Sequence, residues 1–308
     1  MRLVVAIGGN ALLRRGERAE QGIQRSHAHQ GAAAIAPLAR QNELLVTHGN
    51  GPQVGLLALQ AAADRDGVAV PLDVLGAESE GMIGYLLEQE LGNALPDREV
   101  VTLLTQVEVD ADDPAFRRPT KPIGPVYSLD EGERLGRERG WAMVEDGYGL
   151  RRAVPSPAPR RILRMRAIRS LLDARFVVIC GGGGGIPVTA GTDGVLRGVE
   201  AVIDKDRSAA LLAEGVNADG LVLLTDAPGV YEGFGTPRQR LISLAVPEDL
   251  SDLAFEAGSM GPKVEAACRF VERTGGWAAI GALEDAAAVV AGRAGTLVQP
   301  AGACVRPG

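Results

Sequence analysis

Leu3–Asn10 reads LVVAIGGN, five aliphatic residues in unbroken succession followed by two glycines and an asparagine. A half-exposed strand would alternate apolar with polar residues. This one does not, so both of its faces must be covered. The same grammar recurs at Leu44–Thr47, Val100–Leu104, Phe176–Cys180, Leu221–Thr225 and Trp277–Ile280, each run closed by a turn signal and followed by an Ala-rich segment of helical character. Short buried strands alternating with helices predict an α/β chain: an open, doubly wound, mainly parallel sheet with helices on both faces, forming one domain over residues 1–308. Aromatic residues are only 4% of the chain, so Ala, Val and Leu must fill its core.

Composition narrows the function. The net charge of -7 opposes the phosphate-backbone attraction on which nucleic-acid binding depends, so no nucleic-acid partner is expected. The first apolar run ends in Gly-Gly with no cleavage site behind it, and no run approaches the ~20 residues needed to span a bilayer. Three widely spaced cysteines, Cys180, Cys268 and Cys304, and three histidines give neither a disulfide framework nor a zinc cluster. A cytoplasmic protein without membrane attachment or protein-held metal is expected.

One region breaks the alternation. From Asp110 to Arg161 the chain is rich in Pro, Asp, Arg and Gly and holds seven of its 18 prolines. That is too long for a structureless connection in a compact domain. Val126, Tyr127, Trp141 and Met143 give it apolar surface to bury, so residues 110–157 are expected to form a protruding lid subdomain rather than a disordered linker. After it, Ala158–Asp173 has Ile162, Met165, Ile168, Leu171 and Leu172 at helical spacing among arginines, and a single helix with a solvated basic face is predicted.

The basic residues point to chemistry. Of 32 Lys and Arg, only Lys121, Lys205 and Lys263 are lysine, and each sits in a loop-like context: PTKPIGP, VIDKD and GSMGPK. A compact ammonium approaches a phosphoryl oxygen from any angle, whereas guanidinium is a planar fork. Three retained lysines therefore suggest a converging phosphate site. Asp206, adjacent to Lys205, is a candidate counter-charge that keeps clustered ammonium groups protonated, against the alternative of a surface salt bridge at a helix start; Asp204 could be the helix N-cap.

Glycine-rich turns close four of the predicted strands: Gly8, Gly9 and Asn10; Gly49, Asn50 and Gly51; the run Gly181–Gly185; and Gly229. In an open α/β sheet, ligands bind outside the carboxyl ends of the strands, where such turns bring backbone N–H groups close to an anion. Two rival signatures fail. No Gly-Lys dipeptide exists for a Walker loop, and Ile186 and Pro187 stand where a dinucleotide fingerprint from Gly181 needs its last glycine. Neither His48 nor Ser79 has the local sequence of a nucleophile motif.

Taken together, VVAIGGNALL, VTHGNGPQVG, TQVEVDADDPAFRRPTKPIGP, ICGGGGGIPV, GVEAVIDKD and GSMGPKVEAA closely resemble the carbamate kinases of the amino-acid kinase superfamily, over residues 3 to about 299. PTKPIGP and HGNGPQVG mark this branch, whereas LLTDAPGVY and GSMGPK are shared more widely. The resemblance implies reversible phosphoryl transfer between carbamoyl phosphate and ADP, giving ATP and carbamate, in arginine breakdown. It assigns catalysis to Lys121, Lys205, Asp206 and Lys263. The carbamoyl phosphate end falls to Gly8, Gly9, Asn10, Gly49, Asn50 and Gly51, and the phosphate and nucleotide side to Gly182, Gly183, Gly184, Thr225, Asp226, Tyr231, Ser259 and Met260. It further implies Mg2+ carried on the nucleotide phosphates and a homodimer that continues the sheet.

Departures from the family pattern are Ala158 in place of a common lysine, Tyr148 and Leu150 in place of Arg and Trp, and Glu80 in place of Gln. They bear on how the insertion docks more than on the reaction class. A superfamily kinase acting on another small carboxylate, phosphonate or phosphate is the second reading, and a silent nucleotide-binding sensor the third. Lys121 on its insertion and the presence of all three lysines speak against them.

Overall fold

A computed structural model describes residues 1–9, 12–13, 17, 20–63, 70–147, 149–251, 253, 255 and 260–303. The chain starts with β1 (Arg2–Ile7), α1 (Gln21–Gln41), β2 (Glu43–His48), α2 (Gly51–Ala63) and α3 (Leu72–Ala94). β3 (Val100–Leu103) and β4 (Gln106–Val109) follow, then β5 (Lys121–Tyr127), α4 (Leu129–Arg139), β6 (Ala142–Asp146), β7 (Gly149–Val154) and β8 (Pro159–Ile162). The second half runs α5 (Met165–Asp173), β9 (Val177–Cys180), β10 (Ile186–Ala190), β11 (Leu196–Gly198), α6 (Lys205–Gly215) and β12 (Gly220–Thr225). It ends with β13 (Tyr231–Glu232), β14 (Arg240–Leu241), β15 (Leu244–Ala245), α7 (Pro247–Ser251), α8 (Met260–Thr274), β16 (Trp277–Ala282), α9 (Ala286–Val290) and β17 (Thr296–Val298).

All six predicted strands lie in one eight-stranded sheet of order β15-β17-β16-β12-β1-β2-β9-β3. Every pairing in it is parallel except β16 with β17. Because side chains alternate across a strand, β1 divides its residues between two cores. Val4 and Ala6 join Leu45, Val178, Leu221 and Ile280 under α5, α6 and α8, and Leu3, Val5 and Ile7 join Leu44, Val46, Val177 and Val222 under α1 and α3. An unbroken aliphatic run is what a strand buried on both faces requires, and the α/β doubly wound reading holds. Among the described residues, no helix is long and apolar enough to cross a membrane.

The proline-rich region is folded. Strands β5, β7 and β6 make a three-stranded antiparallel sheet, and α4 packs on β7. Ser128 caps α4 by accepting from Glu131 N, and Gly140 closes it in the left-handed conformation. The guanidinium groups of Arg139 and Arg152 lie 5.2 and 4.5 Å from the centroid of the Trp141 ring. The unit leaves the body along β4 and returns along β8, which pair antiparallel, and the ion pairs Arg160–Asp110 and Arg161–Glu108 lace that base.

One expectation fails here. Residues 158–173 are not one helix: Pro159–Ile162 is strand β8, and only Met165–Asp173 is helical. Pro159 lacks the N–H that a helix interior needs, β4 offers it a sheet edge, and Arg164 breaks the segment with a positive φ of 60°. Helical spacing of apolar residues alone could not register that partner.

Candidate active site

Strands β12, β1, β2 and β9 are adjacent and parallel, so the turns after them share one edge of the sheet. Gly8 N–H donates to the Leu224 carbonyl at 2.9 Å and Gly49 N–H to the Ile7 carbonyl at 3.0 Å, carrying the sheet bonding into both turns. A Cβ on Gly49 would stand 2.7 Å from Gly9 N, so the first two turns touch backbone to backbone. Asn50 is buried, and its Nδ2 donates to Ser79 Oγ on α3 at 2.8 Å. Gly51 opens α2. Asn10 lies outside the described residues.

The glycine run after β9 is packed into the protein. Gly182, Gly183 and Gly184 are buried. Gly181 N–H donates to Thr105 Oγ1, Gly182 N–H to Glu80 Oε1, and those of Gly184 and Gly185 to carbonyls within the turn. The N–H groups of Gly181, Gly182, Gly184 and Gly185 are thus engaged with the protein. The run is also a tightly packed spacer: a Cβ on Gly183 would lie 2.1 Å from Asn50 Nδ2, and one on Gly184 2.6 Å from the Ile203 carbonyl. The Gly184 carbonyl in turn accepts from Ser208 Oγ on α6 at 2.7 Å.

Helix α6 starts beside that spacer. Asp204 caps it, its Oδ1 accepting from Asp206 N at 2.9 Å and Arg207 N at 3.3 Å. The same carboxylate takes Lys121 Nζ on Oδ2 at 2.8 Å, across 83 residues of sequence. Asp206 joins the other two lysines: Lys205 Nζ bonds Oδ1 and Lys263 Nζ donates to Oδ2 at 3.2 Å. All three lysines therefore meet two carboxylates in the first turn of one helix. Asp206 is buried and contacts both of these lysines, and Asp204 serves as cap and partner at once.

Electrostatics favours keeping this cluster charged. Burial alone would raise the Asp204 carboxyl, but Lys121, by charge and hydrogen bond, and then Lys205 hold it well below the usual carboxylate range. Lys263, 3% exposed, is lowered chiefly by burial and then by the Lys205 charge, with Asp206 opposing both. Asp206 thus opposes the burial and the Lys205 charge that lower the proton affinity of Lys263.

Two branch motifs also meet. A Cβ on Gly55, at the end of HGNGPQVG, would lie 1.9 Å from the Cα of Gly124 in PTKPIGP. Backbone thus rests on backbone where β5 crosses α2, and Ile123 packs with Val54, Leu72, Leu75 and Val202 beneath it. That crossing aims Lys121 at Asp204. Of the departures, Ala158 reaches the base through its backbone N–H, which donates to Asp113 Oδ2 at 3.0 Å, so its side-chain identity is not what fixes it. Leu150 sits over Gly132 of α4, where a Cβ would approach its own Cβ to 2.6 Å. Tyr148 lies outside the described residues.

On the remaining side, Thr225 ends β12, with its Oγ1 3.0 Å from Asp226 Oδ1. Met260 opens α8 one turn before Lys263, and Ser259 lies outside the described residues. Tyr231 belongs to the short β13–β14 pairing, its ring centroid 6.0 Å from that of Phe234. Sequence reading gave no site role to Glu80, noted only as a departure from the family pattern, or to His48, noted only as lacking a nucleophile motif; both are buried under the turns. A carboxylate in the apolar face of α3, three to four residues from Ile83 and Gly84, was the available signal for Glu80.

Ammonium groups gathered at a helix N-terminus, over the carboxyl ends of parallel strands, are the equipment of a phosphotransferase that works by positioning and charge neutralisation. The comparisons agree with that class. The model of the amino acid kinase family matches residues 1–280. Curated carbamate kinases from Rhizobium meliloti and Pyrococcus furiosus are 55% and 45% identical, over 97% of this chain and 93% and 99% of theirs. The solved carbamate kinase from Giardia lamblia bound to citric acid superposes with a TM-score of 0.91 at 38% identity, covering 97% of this chain and 98% of that one. The chain belongs to the amino acid kinase family, among its carbamate kinases, and is a phosphotransferase with a carboxyl group as acceptor.

Proposed function

We propose that the chain catalyses reversible phosphoryl transfer between carbamoyl phosphate and ADP, giving ATP and carbamate, in the breakdown of arginine in the cytoplasm. The observation that carries this reading is the attachment of Lys121, Lys205 and Lys263 to Asp204 and Asp206. A β-phosphate oxygen of ADP attacks the phosphorus of carbamoyl phosphate, and the bond from phosphorus to the carbamate oxygen breaks, its electron pair leaving with carbamate. The three ammonium groups would neutralise the oxygens of the moving phosphoryl group, each worth roughly 4 kcal/mol at about 4 Å and an effective dielectric near 20. Lys121, arriving on the inserted unit, would act as a lid contact that closes over substrate.

Nucleotide is expected on the side of Thr225, Asp226, Tyr231, Ser259 and Met260, and carbamoyl phosphate against Gly8–Asn10 and Gly49–Gly51. A second solved form of the Giardia lamblia enzyme is bound to AMP-PNP, at 37% identity. Mg2+ would be held by the nucleotide phosphates, because Asp204 and Asp206 are committed to lysines and no cluster of three metal-ligating side chains occurs among the described residues. There it would add charge neutralisation on the phosphate oxygens. Strand β3 closes one end of the sheet, with Leu104 (59% exposed) beyond it and Tyr85 (57%) on the covering helix. An open edge flanked by apolar side chains fits a homodimer that extends the sheet.

The test is direct. Purified chain with carbamoyl phosphate, ADP and Mg2+ forms ATP well above the uncatalysed rate, and it does so in preference to a panel of other acyl phosphates. Formation of ATP only from another acyl phosphate would replace this reading with that of a different superfamily kinase.

A further inference from the structure

Glu80 projects from α3 into the ends of β2, β9 and the β3–β4 connection, and it is 1% exposed. Its Oε1 accepts from Gly182 N at 2.9 Å and its Oε2 from Thr105 N at 3.3 Å. Gly182 is pinched between this side chain and His48: a Cβ there would stand 2.3 Å from His48 Cε1 and Nε2, and 3.0 Å from Glu80 Cγ. The His48 ring meets the Gly49 carbonyl through Nδ1 at 3.1 Å, so its proton lies on Nδ1, and Nε2 has no hydrogen-bond partner among the described residues. The neighbouring Ser79 takes Asn50 of the second turn. Consecutive residues of α3 thus fasten two turns, and the same glycine run carries the Ser208 bond to the lysine-bearing helix.

We propose that Glu80 is a positioning residue for the phosphoryl-transfer site, fixing the Gly181–Gly185 turn between the second-strand turn and α6 in a setting that accepts only an uncharged side chain. The proposal rests on the reading of those turns and lysines as the transfer site. No cation pairs with Glu80 among the described residues. The titratable groups around it are His48 from β2 and Cys180 from β9. Burial pushes His48 down to about 4, with the Gly49 bond opposing and the Lys205 charge reinforcing, and it pushes the Cys180 thiol well up, so both are neutral near pH 7. Lys205 on α6 is held by Asp206.

Burial likewise pushes the Glu80 carboxyl up to about 8, against the hydrogen bonds of Thr105, Gly182 and Gly181. Below that pH the acid is neutral and the turn is set. Above it a carboxylate is buried without a cation, and the turn must shift to hydrate it.

The experiment compares wild type, Glu80→Gln and Glu80→Ala, following ATP formation from carbamoyl phosphate and ADP and, separately, thermal midpoints from pH 5 to 9.5. Wild-type kcat/KM is expected to fall about tenfold between pH 7 and 9, as one ionisation near 8 demands. Glu80→Gln, isosteric and uncharged, restores the pH 7 rate and abolishes that limb, while Glu80→Ala loses more than tenfold at every pH. Folded Glu80 holds its proton to a higher pH than the unfolded chain, so wild-type stability relative to Glu80→Gln declines from about pH 5 to about 8 and is level above. An alkaline limb unchanged in Glu80→Gln, or a midpoint difference that does not vary with pH, overturns the proposal. If wild type forms no ATP, the transfer reading fails, and the midpoints still decide whether Glu80 is held neutral.

Discussion

Replacing Asp206 by asparagine removes one carboxylate and strands two ammonium groups. Asp206 meets Lys263 Nζ at 3.2 Å and also Lys205, and the side chains of Asp206 and Lys263 are 5% and 4% exposed. At 3.2 Å and an effective dielectric near 20 the gross attraction is about 5 kcal/mol, and desolvation cancels part of it. Removing one member of a buried pair typically costs about 3–5 kcal/mol because the remaining charge has no partner. Lys263 can escape by losing its proton, since burial and Lys205 already lower its affinity for it. The deficit is therefore pH-dependent, and its sign follows from linkage. With Lys263 lowered further in the variant, the unfolded chain holds more protons than the folded one over the interval below 10.5, so the variant gains stability as pH rises there. Urea unfolding should show Asp206→Asn about 3 kcal/mol less stable than wild type at pH 6, with the gap narrowing by pH 9.5. Turnover should fall on the order of a hundredfold as the ammonium groups lose charge or place. A gap below about 1 kcal/mol at pH 6, or one equally large at both pH values, would refute the idea that Asp206 keeps these lysines charged.

Other expectations follow from the same geometry. Lys205→Arg keeps the charge but places a planar fork in a site that is only 11% exposed, and its kcat should drop at least about a hundredfold with ADP affinity little changed, as single-turnover kinetics and calorimetry would show. Lys121→Ala should lower transfer more than nucleotide affinity. Its stability deficit, held at neutral pH by the depressed Asp204 carboxyl, should shrink as acid takes the pH below 3.8, a trend that urea midpoints would report. Gly55→Ala drives a Cβ into Gly124 and should cost about 1–3 kcal/mol together with most activity in paired melts and assays, whereas Gly92→Ala, with nothing within 4 Å, should cost none. Leu104→Asp should convert a dimer to monomers in sedimentation if β3 is the joining edge.

The strands were legible because each is a run whose residues serve two cores at once, and no other local structure demands six such runs. The lysines were legible for a related reason: a residue type retained at three places in an arginine-dominated chain marks a demand for shape. Partnership was less accessible. That Asp204 serves Lys121 depends on the crossing of β5 over α2, and neither PTKPIGP nor VIDKD encodes the other. The packing of the glycine run was not legible because glycine answers two needs, close approach of an anion and close approach of protein. Here His48, Asn50 and Ile203 lie where a Cβ on Gly182, Gly183 and Gly184 would fall. Strand β8 was missed because its pairing with β4 spans the whole insertion.

The placement of both aspartates at the start of one helix has a mechanical consequence. Asp204 ties α6 to the inserted unit through Lys121, and Asp206 ties it to α8 through Lys263. Ser208 ties it to the glycine spacer, and Glu80 ties that spacer to α3. In the proposed reaction an arriving phosphoryl group would compete with the carboxylates for the same ammonium groups, and Lys121 drawn from Asp204 toward substrate would leave that carboxylate to the charge of Lys205 and its backbone donors. Asp204 then still accepts from Asp206 N and Arg207 N, and the cap survives the loss of the lysine. A single aspartate serving all three lysines would lose its counter-charges together. Under the proposed function, dividing them between a cap and a buried bridge would let Lys121 move while Lys205 and Lys263 stay with Asp206.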